Sequence, residues 1–562
     1  MNMRNSTHTE GRKGTVPTQR DREADQPEGS GSGTDGTRAR TLMVQGTASD
    51  VGKSILTAAL CRIFVQDGHR VAPFKSQNMS LNSYVTPDGK EIGRAQGVQA
   101  DACRIPATTD MNPILLKPSQ DMRSQVVVHG KPYRDMDARA YRESYLPLAE
   151  KVVCEALERL RRTVDLVVLE GAGSPAEINL KDRDIVNMRM AKWADAPVIL
   201  VADIDRGGVF ASIVGTLELL EPDERERVKG FVINKFRGDV SLLKPGLDWL
   251  EERTGKPVLG VVPYYPKLGI EDEDSASLDS KRRLEPAQAA QQDGQRPDVL
   301  DIAVVRLPWI SNFTDIDPLH EEPDVSVRYV GSAAEWGNPD IVLVPGSKNT
   351  MSDLLFLRES GLADKIVRHA ACEGRVAGIC GGYQMLGETL SDPLGTESDY
   401  RGYREGLGLL PVATEFTPEK KTVRAEGSCG LFRQKPDLPV DGYEIHMGVT
   451  RMTDETSERP FRLRASLTGS GDEAGAADGL HPEGASAFEG RVWGTYLHGI
   501  LHNDDFRRCW LNEARQSKGW EPLSAELRFR EKREEAFDRL ADHVRNHIDM
   551  GLLYEMAGLT AE

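Results

Sequence analysis

Gly46-Thr47-Ala48-Ser49-Asp50-Val51-Gly52-Lys53-Ser54 stands between an apolar run, Thr41-Leu42-Met43-Val44, and a stretch from Ser54 to Gln66 with helical patterning. Strand, glycine-rich turn and helix in that order make a phosphate-binding unit. The turn is a Walker A loop with one extra residue between its outer glycines. Small residues let backbone N–H groups converge on phosphate oxygens, Lys53 brings positive charge to the terminal phosphates, and Ser54 can ligate Mg²⁺ at the helix N-terminus. ATP is therefore expected at Gly46, Thr47, Asp50, Gly52, Lys53 and Ser54. A glycine-rich turn without a ligand would leave the Gly-Lys-Ser ending and the preceding strand unexplained.

Outward from this loop, short apolar runs follow at Val164 to Leu169, Pro197 to Asp203, Lys229 to Lys235 and Pro257 to Pro263, separated by helical segments such as Ala138 to Arg161. Strands alternating with helices predict an α/β fold with a doubly wound parallel sheet. The run Asp165 to Glu170 ends in a carboxylate before Gly171-Ala172-Gly173-Ser174. An acid placed there can hold the cation that bridges nucleotide phosphates, so Glu170 joins Ser54 as a metal candidate. Asp203 and Asp205 also follow a strand, where surface or capping acids are common. Asn234-Lys235 could face a nucleotide base, on a two-residue signal.

From Glu271 to Pro297 the chain turns acidic, rich in Ala, Gln and Asp, and almost free of large apolar residues, the composition of an exposed linker. A second alternating series at Asp301 to Leu307, Val325 to Val330, Ile341 to Val344 and Val376 to Ile379 predicts a second α/β sheet. Thr468 to Ser486 reads as a surface insertion. Phe537, Leu540, Ala541, Val544 and Ile548 recur at helical spacing and predict a docked C-terminal helix. The expected organisation is a disordered tail over 1–40, an ATP-binding domain over 41–270, a linker over 271–300, a second α/β domain over 301–510 and a helical segment over 511–562.

In that second domain Arg375-Val376-Ala377-Gly378-Ile379-Cys380-Gly381-Gly382-Tyr383-Gln384-Met385-Leu386-Gly387 runs a strand into a Gly-x-Cys-x-Gly elbow and a helix. A sharp turn of this kind tolerates only small flanking residues and projects the thiol outward, at a helix N-terminus where a thiolate is favoured. Cys380 is the expected nucleophile. Its base is sought among histidines that end strand-like runs. His498 in Val492-Trp493-Gly494-Thr495-Tyr496-Leu497-His498-Gly499 is the first choice, and His446 in Tyr443-Glu444-Ile445-His446-Met447-Gly448 is not excluded by spacing. For an oxyanion, the amide of Gly381 is one donor, and Gly346 in Pro345-Gly346-Ser347-Lys348 offers a second.

Composition narrows the partners. With 562 residues the chain exceeds what one hydrophobic core normally serves, and its formal net charge of -17 disfavours non-specific nucleic-acid binding. Seven cysteines without a CxxC pair fit reduced thiols and a cytoplasmic location. The first forty residues hold neither an apolar signal core nor a membrane-length run, and Asp21, Glu23, Asp25 and Glu28 make them too acidic for organelle import.

Taken together, these motifs resemble a known family, the cobyric acid synthases, glutamine-dependent ligases of adenosylcobalamin biosynthesis. The resemblance runs from about Thr41 to the C-terminus. The first half is similar to P-loop domains of the dethiobiotin synthetase type, the second to class I glutamine amidotransferases. Phe74-Lys75-Ser76-Gln77-Asn78-Met79-Ser80-Leu81-Asn82-Ser83, Pro345-Gly346-Ser347-Lys348-Asn349-Thr350 and Tyr443-Glu444-Ile445-His446-Met447-Gly448 are the segments most like this family's own. The Lys75 to Ser83 run separates the chain from cobyrinic acid a,c-diamide synthases, and the complete elbow separates it from partitioning ATPases.

The resemblance implies four amidations, at the b, d, e and g carboxylates of adenosylcobyrinic acid a,c-diamide, giving adenosylcobyric acid. It implies ATP and Mg²⁺ as cofactors, glutamine as co-substrate and only small-molecule partners, with neither nucleic acid nor membrane. Carried over, Cys380 is the nucleophile and His498 its base. Gln77, Asn78, Ser80 and Asn82 either face substrate or brace their own loop. Ordinary class I enzymes place a glutamate two residues after the base, whereas Ile500 stands there in this chain, as in this family. Glu444 is the guess for the vacant role.

Overall fold

The computed structural model describes residues 38–120, 123–137, 146–181, 184–266, 268–271, 299–397, 400–454, 456–466, 479–524 and 527–560. The expected tail up to Thr37, the linker over 272–298, the start of the helix expected from Ala138 and residues 468–478 of the expected insertion lie outside them.

Two parallel sheets organise the chain. In the first, six strands lie in the order Val258–Pro263, Val228–Phe236, Val198–Asp203, Arg40–Gly46, Leu166–Glu170, Val71–Phe74, all parallel. Strands covered on both faces read as continuous apolar runs, which is why all four segments inferred after the phosphate loop correspond to strands. The first strand in sequence sits centrally, between the neighbours Leu166–Glu170 and Val198–Asp203, so the strand order reverses across it and a crevice opens at the strand ends. Gly46, Glu170, Asp203 and Asn234 occupy those ends.

A second sheet has the order Val325–Val330, Leu300–Val305, Ile341–Val344, Arg375–Ile379, Val492–Thr495, Ala485–Ala487, with only the last strand antiparallel. Its core is built on Ile302, Val304, Leu343, Ala377 and Trp493, all buried. Ser486, where the expected insertion ends, belongs to its edge strand.

The long antiparallel hairpin of Val412–Cys429 and Leu438–Met452 belongs to a further, separate sheet and reaches the first half. There Arg424 donates to the Val85 carbonyl, and Lys420 pairs with Glu91. The helix Asp504–Ser517 spans position 510, where a domain limit is read from sequence. Beyond it, Phe529–Arg545 does pack by Phe537, Leu540, Ala541 and Val544, against Leu42, Leu56 and Ile63 of the first half, whereas Ile548 joins the same core from beyond the helix end. Arg62, fully buried, meets Glu534 at 2.5 Å.

Candidate functional site

The phosphate loop leaves the strand Arg40–Gly46 and enters the helix Lys53–Gln66. Thr47 N–H donates to the Val201 carbonyl at 2.9 Å, tying the loop to the neighbouring strand. Gly52 has φ 96°, a conformation that favours glycine, and a β-carbon there would overlap the Asn234 amide, which itself donates to the Val51 carbonyl at 2.8 Å. Lys53 is buried and its ammonium donates to the carbonyls of Ala48 (2.8 Å) and Gly173 (3.1 Å), closing the loop over the crevice. Asp50 is exposed at the loop's tip.

Ser54 Oγ donates to Glu170 Oε1 at 2.7 Å. That carboxylate, 1% exposed, also meets Lys75 Nζ at 2.9 Å and accepts from Gln99 Nε2 at 2.5 Å. The two metal candidates are thus adjacent, and their hard oxygens suit Mg²⁺. Asp203 pairs with Lys235 at 3.0 Å. A cavity of about 1280 Å³ opens over these groups and continues along Gln77, Asn78 and Arg94 to Glu271. Ser80 and Asn82 are buried instead, with Asn82 N–H donating to Ser80 Oγ.

The cysteine elbow has the backbone expected of it. Cys380 joins the strand Arg375–Ile379 to the helix Gly381–Leu386 at φ 52°, ψ -108°, a strained conformation for a side chain with a β-carbon. A β-carbon on Gly382 would overlap the Val344 carbonyl oxygen, and one on Gly381 would stand 2.8 Å from the Ser347 nitrogen. The loop Pro345–Lys348 therefore lies against the elbow. A β-carbon on Gly346 would stand 3.2 Å from His498 Cε1. Ser347 Oγ fastens this loop by donating to Asp353 at 2.6 Å, and burial pushes the Asp353 carboxyl up to about 7.

His498 is fully buried beside Cys380. Its Nδ1 is 2.7 Å from Asp315 Oδ2, and Gly499 N–H donates to Asp315 Oδ1 at 2.8 Å. Burial alone disfavours the imidazolium, but the carboxylate of Asp315 and the Cys380 sulfur outweigh it and push the His498 pKa up to about 10. Asp315 is held below the usual carboxylate range: burial opposes this, and His498 with the Gly499 amide overcomes it. Cys380, His498 and Asp315 can shuttle a proton between thiol and leaving amine, with the imidazole fixed by its carboxylate.

His446 is elsewhere engaged. Its ring stacks on Tyr496 with centroids 3.6 Å apart and sits 3.4 Å from Glu444, and burial lowers its pKa. Glu444 pairs with Lys421 at 2.6 Å, so the carboxylate guessed from sequence does not reach His498. The 443–448 segment borders the thiol through its main chain, with Ile445 O 3.6 Å from Cys380 Sγ. Asp315 lies on the turn Phe313–Ile316 and belongs to no sequence motif; only the apolar Ile500 signals that the carboxylate must come from another segment.

Each half of the chain matches a known domain family. Residues 42–277 match the family described as CobQ/CobB/MinD/ParA nucleotide binding domain, and residues 301–506 match the CobB/CobQ-like glutamine amidotransferase domain. A solved glutamine amidotransferase aligns with 38% of this chain and 97% of its own, at 17% identity and a TM-score of 0.27. Relatives named cobyric acid synthase extend over both halves. That of Desulforamulus reducens is 51% identical over 93% of this chain and 98% of its own length; that of Geobacillus thermodenitrificans is 52% identical over 92% and 98%. Matched at about half identity over more than nine tenths of its length by those relatives, the chain belongs to the cobyric acid synthase family.

Proposed function

We propose that Cys380 and the phosphate loop are the two working ends of one ligase, the first freeing ammonia and the second preparing its acceptor. The reaction is that of the family: ATP- and glutamine-dependent amidation of the b, d, e and g carboxylates of adenosylcobyrinic acid a,c-diamide. The adjacency of Cys380, His498 and Asp315, on a half of the chain separate from the phosphate loop, is the observation that carries this assignment of residues.

At the first site the Cys380 thiolate attacks the glutamine amide carbonyl and the C–N bond breaks. His498 delivers the proton that lets ammonia leave, and water then hydrolyses the thioester to glutamate. Asp315 keeps the imidazole oriented. The amides of Gly381 and Gly346 are the proposed oxyanion donors, supported by their approach to the elbow and to His498.

At the second site a corrinoid carboxylate oxygen takes the terminal phosphoryl group of ATP. Ammonia then attacks the acyl carbon and phosphate departs. Lys53 and the loop amides that follow Thr47 bind the phosphates. Ser54 and Glu170 would hold Mg²⁺, which when bound supplies charge neutralisation at the phosphates. The division into units 41–270 and 301–510 belongs to the same proposal, supported by the two separate parallel sheets. So does a cytoplasmic location, supported by seven free cysteines.

Cys380→Ala is expected to abolish glutamine-dependent amidation and to retain amidation with added ammonium, read as product masses. Equal loss with both donors would overturn the two-site assignment. Lys53→Ala is expected to remove both.

A further inference from the structure

We propose that the first half of the chain positions the glutaminase base, through Arg94 acting on Tyr443 and through the Ser83 amide acting on Asn312. The proposal rests on the assignment of Cys380 and His498 above.

His498 has three supports. Asp315 fixes Nδ1 from within the second half. The face of the imidazole lies on the Tyr443 ring, with centroids 5.1 Å apart and planes 15° from parallel. The remaining edge is flanked by Asn312, whose Nδ2 is 3.4 Å from Nε2. These last two supports are themselves held by the other half. Arg94 Nη2 donates to the Tyr443 hydroxyl at 2.6 Å, and Ser83 N–H donates to Asn312 Oδ1 at 2.8 Å.

That second bond decides which way the Asn312 amide faces. Its oxygen is taken by Ser83, so its nitrogen turns to the imidazole. Asn312 is buried at φ 51°, so its backbone too is committed to this position.

The segment that delivers Ser83 begins at the phosphate site. Lys75 is on Glu170, which accepts from Ser54, and eight residues later the same segment meets Asn312. Arg94 in turn lines the large cavity over the phosphate loop and a second of about 520 Å³ that touches Asp315 and Tyr443. Arg94, which lines the synthetase cavity, and the segment that starts at Lys75 on Glu170 are thus bonded to the groups that fix His498. Asn312, Tyr443 and Arg94 are positioning residues, because each acts on glutamine only through the imidazole.

Tyr443→Phe keeps the stacked ring and removes only the hydroxyl that Arg94 holds. It is expected to lower kcat for glutamine hydrolysis roughly tenfold with KM little changed, as befits one hydrogen bond to a charged group. Asn312→Gly tolerates the positive φ and should give a similar loss. Both should still amidate with added ammonium. In a double-mutant cycle on glutamine hydrolysis, Arg94→Ala combined with Tyr443→Phe should cost no more than the larger single loss, because both break one bond. Wild-type kcat in both Tyr443→Phe and Asn312→Gly, or strictly additive losses in the cycle, would overturn the proposal. If Cys380→Ala still hydrolysed glutamine, the underlying assignment would fall instead, and the two failures are told apart.

Discussion

At the residue scale the decisive contact is Asp315 with His498. It could not be read from the sequence, because Asp315 is one acid among 88 and lies 183 positions from its partner. The elbow around Cys380 was legible because its glycines answer a local steric demand, whereas a carboxylate that orients an imidazole need satisfy no local pattern. Asp315→Asn should reduce kcat for glutamine hydrolysis at least about a hundredfold, since the amide can neither stabilise the imidazolium nor enforce the tautomer. The same pair carries a pH signature. The folded His498 pKa of about 10 lies above its ordinary value, so its contribution to stability is complete below about pH 6.5 and is lost as pH rises through 10. Denaturant midpoints should therefore fall more between pH 6 and pH 10 in wild type than in Asp315→Asn; parallel curves would refute it.

At the element scale, legibility followed burial. The inner parallel strands are covered on both faces and announced themselves as apolar runs, but the hairpin of Val412–Cys429 and Leu438–Met452 is half exposed and mixes charges such as Lys420, Lys421 and Arg424 into its pattern. The C-terminal helix showed its apolar stripe at Phe537, Leu540, Ala541 and Val544, yet a stripe does not say which core receives it, and the receiving core is that of the first half. Phe537→Ala should cost about 3–5 kcal/mol and unsettle the phosphate-loop helix that Phe537 covers, measured as denaturant midpoint and ATP affinity together. In the elbow, Gly382 is required by space: a methyl group would overlap the Val344 carbonyl, which is backbone and cannot swing aside. Gly382→Ala is expected to lose about 1–3 kcal/mol of stability and most glutaminase activity, and a variant of wild-type stability would contradict the packing argument.

At the scale of the whole molecule, the halves are joined by a nearly buried cluster in which Glu91 meets Lys117 at 2.7 Å and also Lys420 from the long hairpin. Nothing in the sequence brings Lys420 to Glu91, since that partnership exists only once both halves have folded. Burial raises the Glu91 carboxyl, but the two ammonium groups overcome it and hold Glu91 well below the usual range. Lys420 shows the opposite balance: burial pushes it down to about 8, below its ordinary value, although Glu91 pulls it up. A lysine shifted this way is penalised in the fold at any pH below about 8, and the penalty fades as pH approaches the unfolded value near 10.5. Glu91→Gln leaves two lysines facing each other without a carboxylate, which should cost about 3 kcal/mol at pH 7. The deficit relative to wild type should then shrink toward pH 10, where Lys420 can shed its proton. Equilibrium denaturation of both proteins at the two pH values measures this, and a deficit that stays constant would show that charge does not govern the joint.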